Sequence, residues 1–173
     1  ANNTTASNNT AVGYASLLAN TTGTGNTSLG MNSLSANTTS ADNTAVGMSA
    51  LMTNRAANNS ALGVAALKLN TTGTGNTAVG RSALKENTTA HNNTSIGYYA
   101  LTVNTTGAGN TASGFEALKD NTTASYNTSS GFQSLNKNTT GASNTAYGSY
   151  ALKYNTTGGN NVAVGYSALV ANT

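Results

Sequence analysis

The chain has 173 residues, of which only 6% are charged, whereas about 25% is usual for soluble domains. It contains 28 Asn, 31 Thr and 19 Gly, and its formal net charge of +3 comes from seven basic and four acidic residues. So few cations do not indicate nucleic-acid binding, which needs clustered Lys and Arg. The sequence has no Cys, which excludes disulfides and thiolate metal sites. No apolar run approaches the ~20 residues of a membrane-spanning helix, so we expect no membrane insertion.

Few side chains are available for catalysis. The sequence has one histidine, His91, and four carboxylates: Asp42, Glu86, Glu116 and Asp120. A glycosidase would need two carboxylates at a defined separation across a cleft. His91 lies in a variable stretch without a neighbouring metal ligand. We therefore expect a protein that is not an enzyme, with no catalytic residues, no cofactor and no metal site.

The chain consists of one short repeat. With its first Asn as position 0, the repeat reads N-T-A-V-G-Y-S-A-L-x-x-N-T-T-G-x-x. Successive copies are 17 residues apart, except for one spacing of 16 in the third copy, between Asn43 and Asn59. The sequence predicts a single repeat domain over residues 1–173. Its ten coils begin near Asn9, Asn26, Asn43, Asn59, Asn76, Asn93, Asn110, Asn127, Asn144 and Asn161.

Four positions are the same in all ten copies: Asn at positions 0 and 11, Gly at position 4 and Leu at position 8. A disordered low-complexity tract has no physical reason to keep Leu in register. The repeat is therefore a structural unit, and we expect its Leu residues to form a core ladder. These are Leu17, Leu34, Leu51, Leu67, Leu84, Leu101, Leu118, Leu135, Leu152 and Leu169.

A 17-residue repeat is too short for two packed helices, which need about 33 to 47 residues. It fits one coil of a β-solenoid, in which coils stack at the strand spacing of roughly 4.8 Å. Stacking brings identical residues together, so that Asn side chains can form hydrogen-bonded ladders. The sequence therefore predicts an all-β fold, a β-solenoid (β-roll or β-helix) of ten 17-residue coils.

Each coil can be divided in chain order. Positions 0 to 5 are predicted to form the main strand, and positions 6 to 8 a turn that brings Leu inside. The N-T-T-G segment is expected to form a second short strand that ends in a bend. Gly at position 4 indicates either a positive φ or close contact with the next coil. Between Asn54 and Asn59 one residue is missing, which we interpret as a shortened loop.

Strand alternation predicts that positions 3 and 5 face outward and positions 2 and 4 inward. The outward positions are mostly apolar, and an exposed apolar stripe of this length is a liability unless a partner covers it. With one large invariant apolar residue per coil, the interior is also thin. We therefore expect a homo-oligomer, a trimer or fibre. The alternative is a monomer in which position 3 or 5 belongs to the core.

Three aromatic residues, Tyr98, Phe115 and Phe132, occupy position 5 in consecutive coils. They could be buried between chains, or they could stack on the rings of a surface glycan.

Lysines at positions 9 and 10 could attract an anionic glycan, but such a column more often keeps a turn soluble. This column contains Lys68, Lys85, Lys119, Lys137 and Lys153.

The repeated N-T-T triplet has the form of an N-glycan acceptor. Acceptors roughly 4.8 Å apart leave no room for a glycan on each coil, so hydrogen-bonded ladders are the favoured interpretation. Columns of Thr also suggest an ice-binding protein as an alternative. A T-T pair, however, sends one of its two side chains inward by alternation.

The unit N-T-A-V-G-Y-S-A-L-x-x-N-T-T-G-x-x closely resembles the 17-residue tandem repeats of bacterial and phage tail-fibre-like and adhesin-like proteins. It is also similar to the shorter N-S-V-A-I-G repeats of trimeric autotransporter adhesin heads, which are trimers of left-handed β-rolls. The resemblance covers the whole chain. It implies an extracellular structural segment of a cell-surface or virion fibre, shaft or head, that attaches through multivalent lateral contacts. It implies no catalytic residue and no particular receptor.

Overall fold

The computed structural model describes residues 3–172. Within this range the chain forms a parallel β-solenoid with ten three-residue strands and no helix. The strands are β1 Thr10–Val12, β2 Thr27–Leu29, β3 Thr44–Val46, β4 Ser60–Leu62, β5 Thr77–Val79, β6 Thr94–Ile96, β7 Thr111–Ser113, β8 Thr128–Ser130, β9 Thr145–Tyr147 and β10 Val162–Val164. The all-β solenoid expected from the repeat is confirmed.

All ten strands belong to one parallel sheet in which strand order follows chain order. Thr77 of β5 lies beside Thr94 of β6, so residues 17 apart are stacked. Thr44 lies beside Ser60, although these two are only 16 residues apart. The missing residue therefore lies in the turn and leaves the register of the strands unchanged.

The strands are shorter than the sequence indicated, covering positions 1 to 3 instead of 0 to 5. In β5, Ala78 is buried whereas Thr77 and Val79 are partly exposed, as alternation requires. The strand ends at Val79, because the φ of 130° at Gly80 departs from the extended conformation. Two residues later Ser82 has a φ of 57°, so the chain has already turned. Both conformations make the corner that ends each strand.

Gly at position 4 is required for two reasons at once. A Cβ at Gly80 would lie 2.5 Å from the carbonyl oxygen of Gly97 in the next coil. The φ of 130° is also one that L side chains rarely adopt. The sequence offered a positive φ and a close approach as alternatives, and both apply.

The interior is formed by Leu at position 8, by Ala or Ser at positions 2 and 7, and by Asn at positions 0 and 11. Eight Leu side chains, from Leu34 to Leu152, are fully buried, and Leu17 is nearly so. Leu169, in the last coil, is 51% exposed. Every Leu of this column has a φ near +50°, a left-handed conformation that costs about 1–2 kcal/mol for a residue with a Cβ. Burial of the side chain offsets this cost.

The N-T-T-G segment does not form the predicted second strand. Its residues form a bend, because two consecutive N–H groups donate to a single acceptor. The N–H groups of Thr71 and Thr72 both donate to the carbonyl of Thr88, at 2.9 and 3.1 Å. A β ladder instead gives each alternate N–H its own carbonyl. The second strand was therefore a wrong prediction, although the segment is still bonded to the next coil.

The buried Leu column should dominate the stability of a coil. We expect Leu84→Ala to lower the free energy of unfolding by about 2–5 kcal/mol, because it leaves a cavity among fully buried neighbours. Lys85→Ser, at the adjacent half-exposed position, should change it by less than about 0.5 kcal/mol. Chemical denaturation followed by circular dichroism would measure both. Equal stabilities of the two variants would show that position 8 is not a core position.

The position of Gly80 predicts a second strong effect. Gly80→Ala should prevent the close approach of two coils and lower the free energy of unfolding by more than about 1 kcal/mol, because neither the φ nor the contact tolerates a Cβ. Gly75→Asn is the control, because Gly75 has a φ of 67° and Asn92 adopts a similar φ of 59° in the next coil. Its Cβ would meet the Asn92 side-chain oxygen at 2.6 Å, but that side chain is exposed and can rotate away, whereas the backbone of Gly97 cannot. Thermal unfolding should leave the control close to wild type. A wild-type melting temperature for Gly80→Ala would contradict the close packing.

Candidate interaction surfaces

The outward residues at positions 3 and 5 form a surface that we call the lateral stripe. It runs along all ten coils and includes one charged residue, Arg81. Fourteen of its side chains are exposed and apolar: Val12, Tyr14, Leu29, Met31, Met48, Leu62, Val64, Ile96, Tyr98, Phe115, Phe132, Tyr147, Val164 and Tyr166. The remaining charged side chains lie at other positions of the repeat. The stripe is thus the main apolar surface of the rod.

Three aromatic rings of the stripe stack on one another. The rings of Tyr98 and Phe115 are 5.5 Å apart and inclined by 2°. Those of Phe115 and Phe132 are 5.1 Å apart and inclined by 7°. The guanidinium of Arg81 lies 5.9 Å from the centre of the Tyr98 ring, and the edge of Tyr150 meets the Phe132 ring at 5.4 Å and 79°. Other side chains of the same rod therefore lie next to each ring within the stack and next to the rings at both of its ends.

This stacking restricts what the three aromatic residues can bind. A sugar ring stacks on the face of an aromatic ring, but here the faces of Tyr98, Phe115 and Phe132 are turned toward other side chains of the same rod. Each residue is still about 40% exposed. The exposed parts are therefore mainly ring edges, which pack well against other apolar or aromatic groups. Of the two uses predicted from the sequence, the geometry favours burial against another chain.

The aromatic cluster extends further than position 5 indicated. Tyr99 and Tyr150, both at position 6, join it through edge contacts with Tyr98 and Phe132. Lys153 adds a cation, with its ammonium 4.8 Å from the centre of the Tyr150 ring. The signal in the sequence was an aromatic residue at position 6 in the sixth coil, which also holds Tyr98, and in the ninth coil, which follows that of Phe132. Reasoning based on alternation alone overlooked it, because the turn after Gly breaks the alternation.

Buried amide ladders connect successive coils. At position 11, the Asn87 amide donates to the Asn70 side-chain oxygen at 2.8 Å and to the carbonyl of Ala90 at 3.1 Å. At position 0, the Asn76 side-chain oxygen accepts the backbone N–H of Asn93 at 3.0 Å. The position-11 side chains from Asn20 to Asn155 are all buried. In the folded coils these N-T-T acceptors are therefore engaged in hydrogen bonds and shielded from a glycosyl donor.

The two Thr residues of the N-T-T triplet have different surroundings. The hydroxyl of Thr88 donates to the carbonyl of Thr105 in the next coil at 3.2 Å, and its neighbour Thr89 is exposed. The same arrangement recurs at five other corners of the ten coils, where the donating residues are Thr21, Thr71, Thr105, Thr122 and Thr139. Position 12 thus stabilises the rod, while position 13 supplies a single exposed rank of hydroxyls. This corner does not provide the paired ranks that a flat ice-binding face presents.

Charged residues form pairs both within a coil and between neighbouring coils. Glu116 accepts hydrogen bonds from Lys119 at 2.9 Å and Gln133 at 2.8 Å, and Lys137 contacts Asp120 at 2.8 Å. Desolvation by burial alone would raise the pKa of Glu116. The bonds from Lys119 and Gln133, with the charges of Lys119 and Lys137, outweigh this effect and hold the pKa below its ordinary value. The hydrogen bond to Asp120 raises the pKa of Lys137.

The remaining candidate residues are dispersed. His91 is exposed and its Nδ1 lies 3.0 Å from the hydroxyl of Thr74. Residues 3–172 include no group of three His, Asp or Glu that could hold a metal ion, and they form no pocket. No helix in this described range is long and apolar enough to span a membrane.

No protein-family model, no curated protein and no solved structure matches this chain. Assignment to a family therefore depends on the repeat unit alone.

The depressed pKa of Glu116 predicts a pH-dependent contribution to stability. Because the folded pKa lies below the ordinary value of 4.5, the ionised group stabilises the fold above about pH 4.5. This contribution is lost as the pH falls through the folded pKa. Glu116→Gln should therefore melt below wild type at pH 7, and the difference should shrink below pH 4. Thermal unfolding between pH 3 and 7 would measure it.

The control for this experiment is Glu86→Gln. The Glu86 carboxylate lies 3.8 Å from Lys85, and its side chain is 40% exposed. An exposed pair of this kind contributes little, so the control should follow wild type across the pH range. A Glu116→Gln difference that is the same at pH 3 and pH 7 would contradict the electrostatic interpretation.

Proposed function

We propose that this chain is a structural segment of an extracellular fibre, the shaft or head of an adhesin or tail fibre. In this proposal three copies pack along their lateral stripes to form a homotrimer. The fibre carries out no chemical reaction. Its stacked coils set a length of about 48 Å, and its repeated surfaces provide weak contacts that add up to avidity.

The observation that carries the proposal is the lateral stripe itself. Nine of the ten coils expose at least one apolar side chain at these two positions, and the remaining coil carries Arg81, the one charged residue of the stripe. Exposed apolar surfaces of this extent in soluble proteins usually mark interaction sites. A second rod with the same coil spacing matches such a stripe along its whole length. A globular partner would match only part of it.

The aromatic stack also supports assembly. Ring edges of Tyr98, Phe115 and Phe132 face outward in three consecutive coils, where apolar packing against a neighbouring rod would cover them. The interior gives a further reason. It contains one large apolar residue per coil, and a trimer would supply the additional burial that a single rod lacks.

The repeat unit adds an independent argument. Its resemblance to fibre and adhesin repeats extends over the whole chain, and proteins with such repeats are fibres and surface adhesins. The same resemblance places the chain outside the cell or on a virion. Immunogold labelling of intact cells or particles from the source, with an antibody against the folded rod, would test this location. Labelling only after permeabilisation would contradict it.

The proposed assembly predicts the effect of charge in the stripe. The particle should have three times the 17.2 kDa mass of the chain. Val79→Lys combined with Ile96→Lys should convert it to single chains, because lysines at two neighbouring coils would be buried against each other. Sedimentation equilibrium at micromolar concentration would measure both masses.

The matched control changes two residues in the same two coils. Thr89 and Thr106 are exposed on the N-T-T corner, so Thr89→Lys with Thr106→Lys adds the same charge away from the stripe. This control should keep the wild-type mass. A wild-type chain that sediments as a monomer would refute the trimer. So would a stripe variant that remains trimeric.

A further inference from the structure

The corner between the second and third coils differs from the other described N-T-T corners. It is formed by Asn37, Thr38 and Thr39 of the second coil and by Asn54 and Arg55 of the third, and we call it the open corner. The third coil has Asn54-Arg55-Ala56-Ala57 where the other complete coils have N-T-T, and it is one residue shorter. This shortening changes how the two coils are bonded.

An intact corner is closed by four hydrogen bonds. Between the fourth and fifth coils, the N–H groups of Thr71 and Thr72 and the hydroxyl of Thr71 all donate to the carbonyl of Thr88. The fourth bond joins the Asn87 amide to the Asn70 side-chain oxygen at 2.8 Å. The same four bonds recur between the fifth and sixth coils.

The open corner has none of these four bonds. Within the described residues, the N–H groups of Thr38 and Thr39 donate to no backbone carbonyl, and the Thr38 hydroxyl donates to none. The carbonyl of Arg55, which should receive all three, accepts no hydrogen bond. The side-chain oxygen of Asn37 is buried without a partner. A buried unpartnered acceptor costs about 1–3 kcal/mol, so this corner is less stable than its neighbours.

The short turn explains the lost ladder bond. In intact coils the Asn amide reaches a carbonyl three residues later, as Asn70 reaches Gly73, and still bonds to the preceding coil. In the third coil the amide of Asn54 reaches Ala56, only two residues later, at 2.7 Å. The shorter turn draws the amide toward its own coil and away from Asn37.

Arg55 is exposed at this corner, and it is a residue that trypsin-like proteases recognise. We propose that the Arg55–Ala56 bond is a processing site at which a protease specific for basic residues cuts the folded rod. Water adds across this peptide bond, leaving a carboxylate on Arg55 and a free amino group on Ala56. A protease needs a locally opened segment, and the open corner supplies one with few hydrogen bonds to break.

The other six basic residues lie in better-bonded backbone. The carbonyls of Lys68, Lys85, Lys119 and Lys153 each accept a backbone N–H from the preceding coil, and that of Arg81 accepts one from the following coil. At Lys137 the next residue is held, because the N–H of Asn138 donates to the carbonyl of Leu135 at 3.1 Å. The N–H of Arg55 donates to the carbonyl of Thr71 at 3.0 Å, but neither the carbonyl of Arg55 nor the N–H of Ala56 has a backbone partner among residues 3–172, so both sides of this one peptide bond are free. The proposal depends on this difference and not on the trimer.

The test is limited digestion of the intact protein with trypsin, followed by mass analysis of the fragments over time. The first cut should give fragments 1–55 and 56–173, roughly tenfold or more before any other, because opening this corner breaks fewer hydrogen bonds. Arg55→Thr should remove that cut and leave the others unchanged. First cleavage at any of the six other basic residues would overturn the proposal.

Two variants separate the open corner from the mere presence of Arg. Thr88→Arg places Arg at the equivalent position of an intact corner, and it should resist trypsin at that position while Arg55 is cut. Insertion of one Thr between Arg55 and Ala56 restores the 17-residue spacing and should slow the cut after Arg55. Equal cleavage at positions 55 and 88 of T88R, or an insertion variant cut as fast as wild type, would refute the proposal.

Discussion

The in-register stacking of buried amides is the constraint on which the rest of this rod depends. An Asn side chain can form a hydrogen bond with the Asn of the next coil only if both occupy the same position of the repeat, as Asn70 and Asn87 do. Leaving one such amide unpaired in the interior is costly. The ladder therefore fixes identical residues 17 positions apart. The same stacking brings Gly80 and Gly97 into backbone contact and places Leu over Leu along the axis.

This constraint explains how an interior can be stable with few large apolar residues. Asn occupies two buried positions in each coil from the second to the ninth, and its oxygen and nitrogen have hydrogen-bond partners in nearly every case. Each coil thus gains directional bonds where a globular protein would use apolar packing. The amides also make errors of register unfavourable, because a shift by one residue would bury unpaired polar groups. Stability and register therefore come from the same side chains.

Much of this fold could be predicted from the repeat. When the same residue recurs at a fixed spacing, its copies must occupy equivalent places in stacked coils. From the sequence alone, Leu84 could be placed in the interior of a coil, and Gly80 could be placed at a close contact between coils. Two features could not be predicted in this way. The second strand failed because Thr71 and Thr72 share one acceptor, a detail that alternation does not reveal. The left-handed conformation of Leu84, with a φ of 51°, also could not be read, since nothing local favours it and only burial supports it.

The lateral stripe was predictable in outline, but its internal contacts were not. The side chains at positions 3 and 5 were expected to face outward. Which surfaces of the aromatic rings are free, however, depends on how the rings stack on one another. Tyr98, Phe115 and Phe132 turn their faces along the rod because the coil spacing is close to the stacking distance of aromatic rings. A sequence pattern indicates that aromatic residues are neighbours. It does not indicate whether their faces are free.

The division between fixed and variable positions determines where such a rod can acquire different properties. Interior positions are tied to both neighbouring coils, so a change there disturbs two junctions. Outer positions meet mainly their equivalents one coil away, as Lys137 meets Asp120 and Phe115 meets Phe132. The stripe can therefore be rich in Met near Met31 and Met48 and aromatic near Phe115, while the interior stays uniform. The shortened third coil follows the same rule: its missing residue lies at an outer corner, where the strand register can be kept.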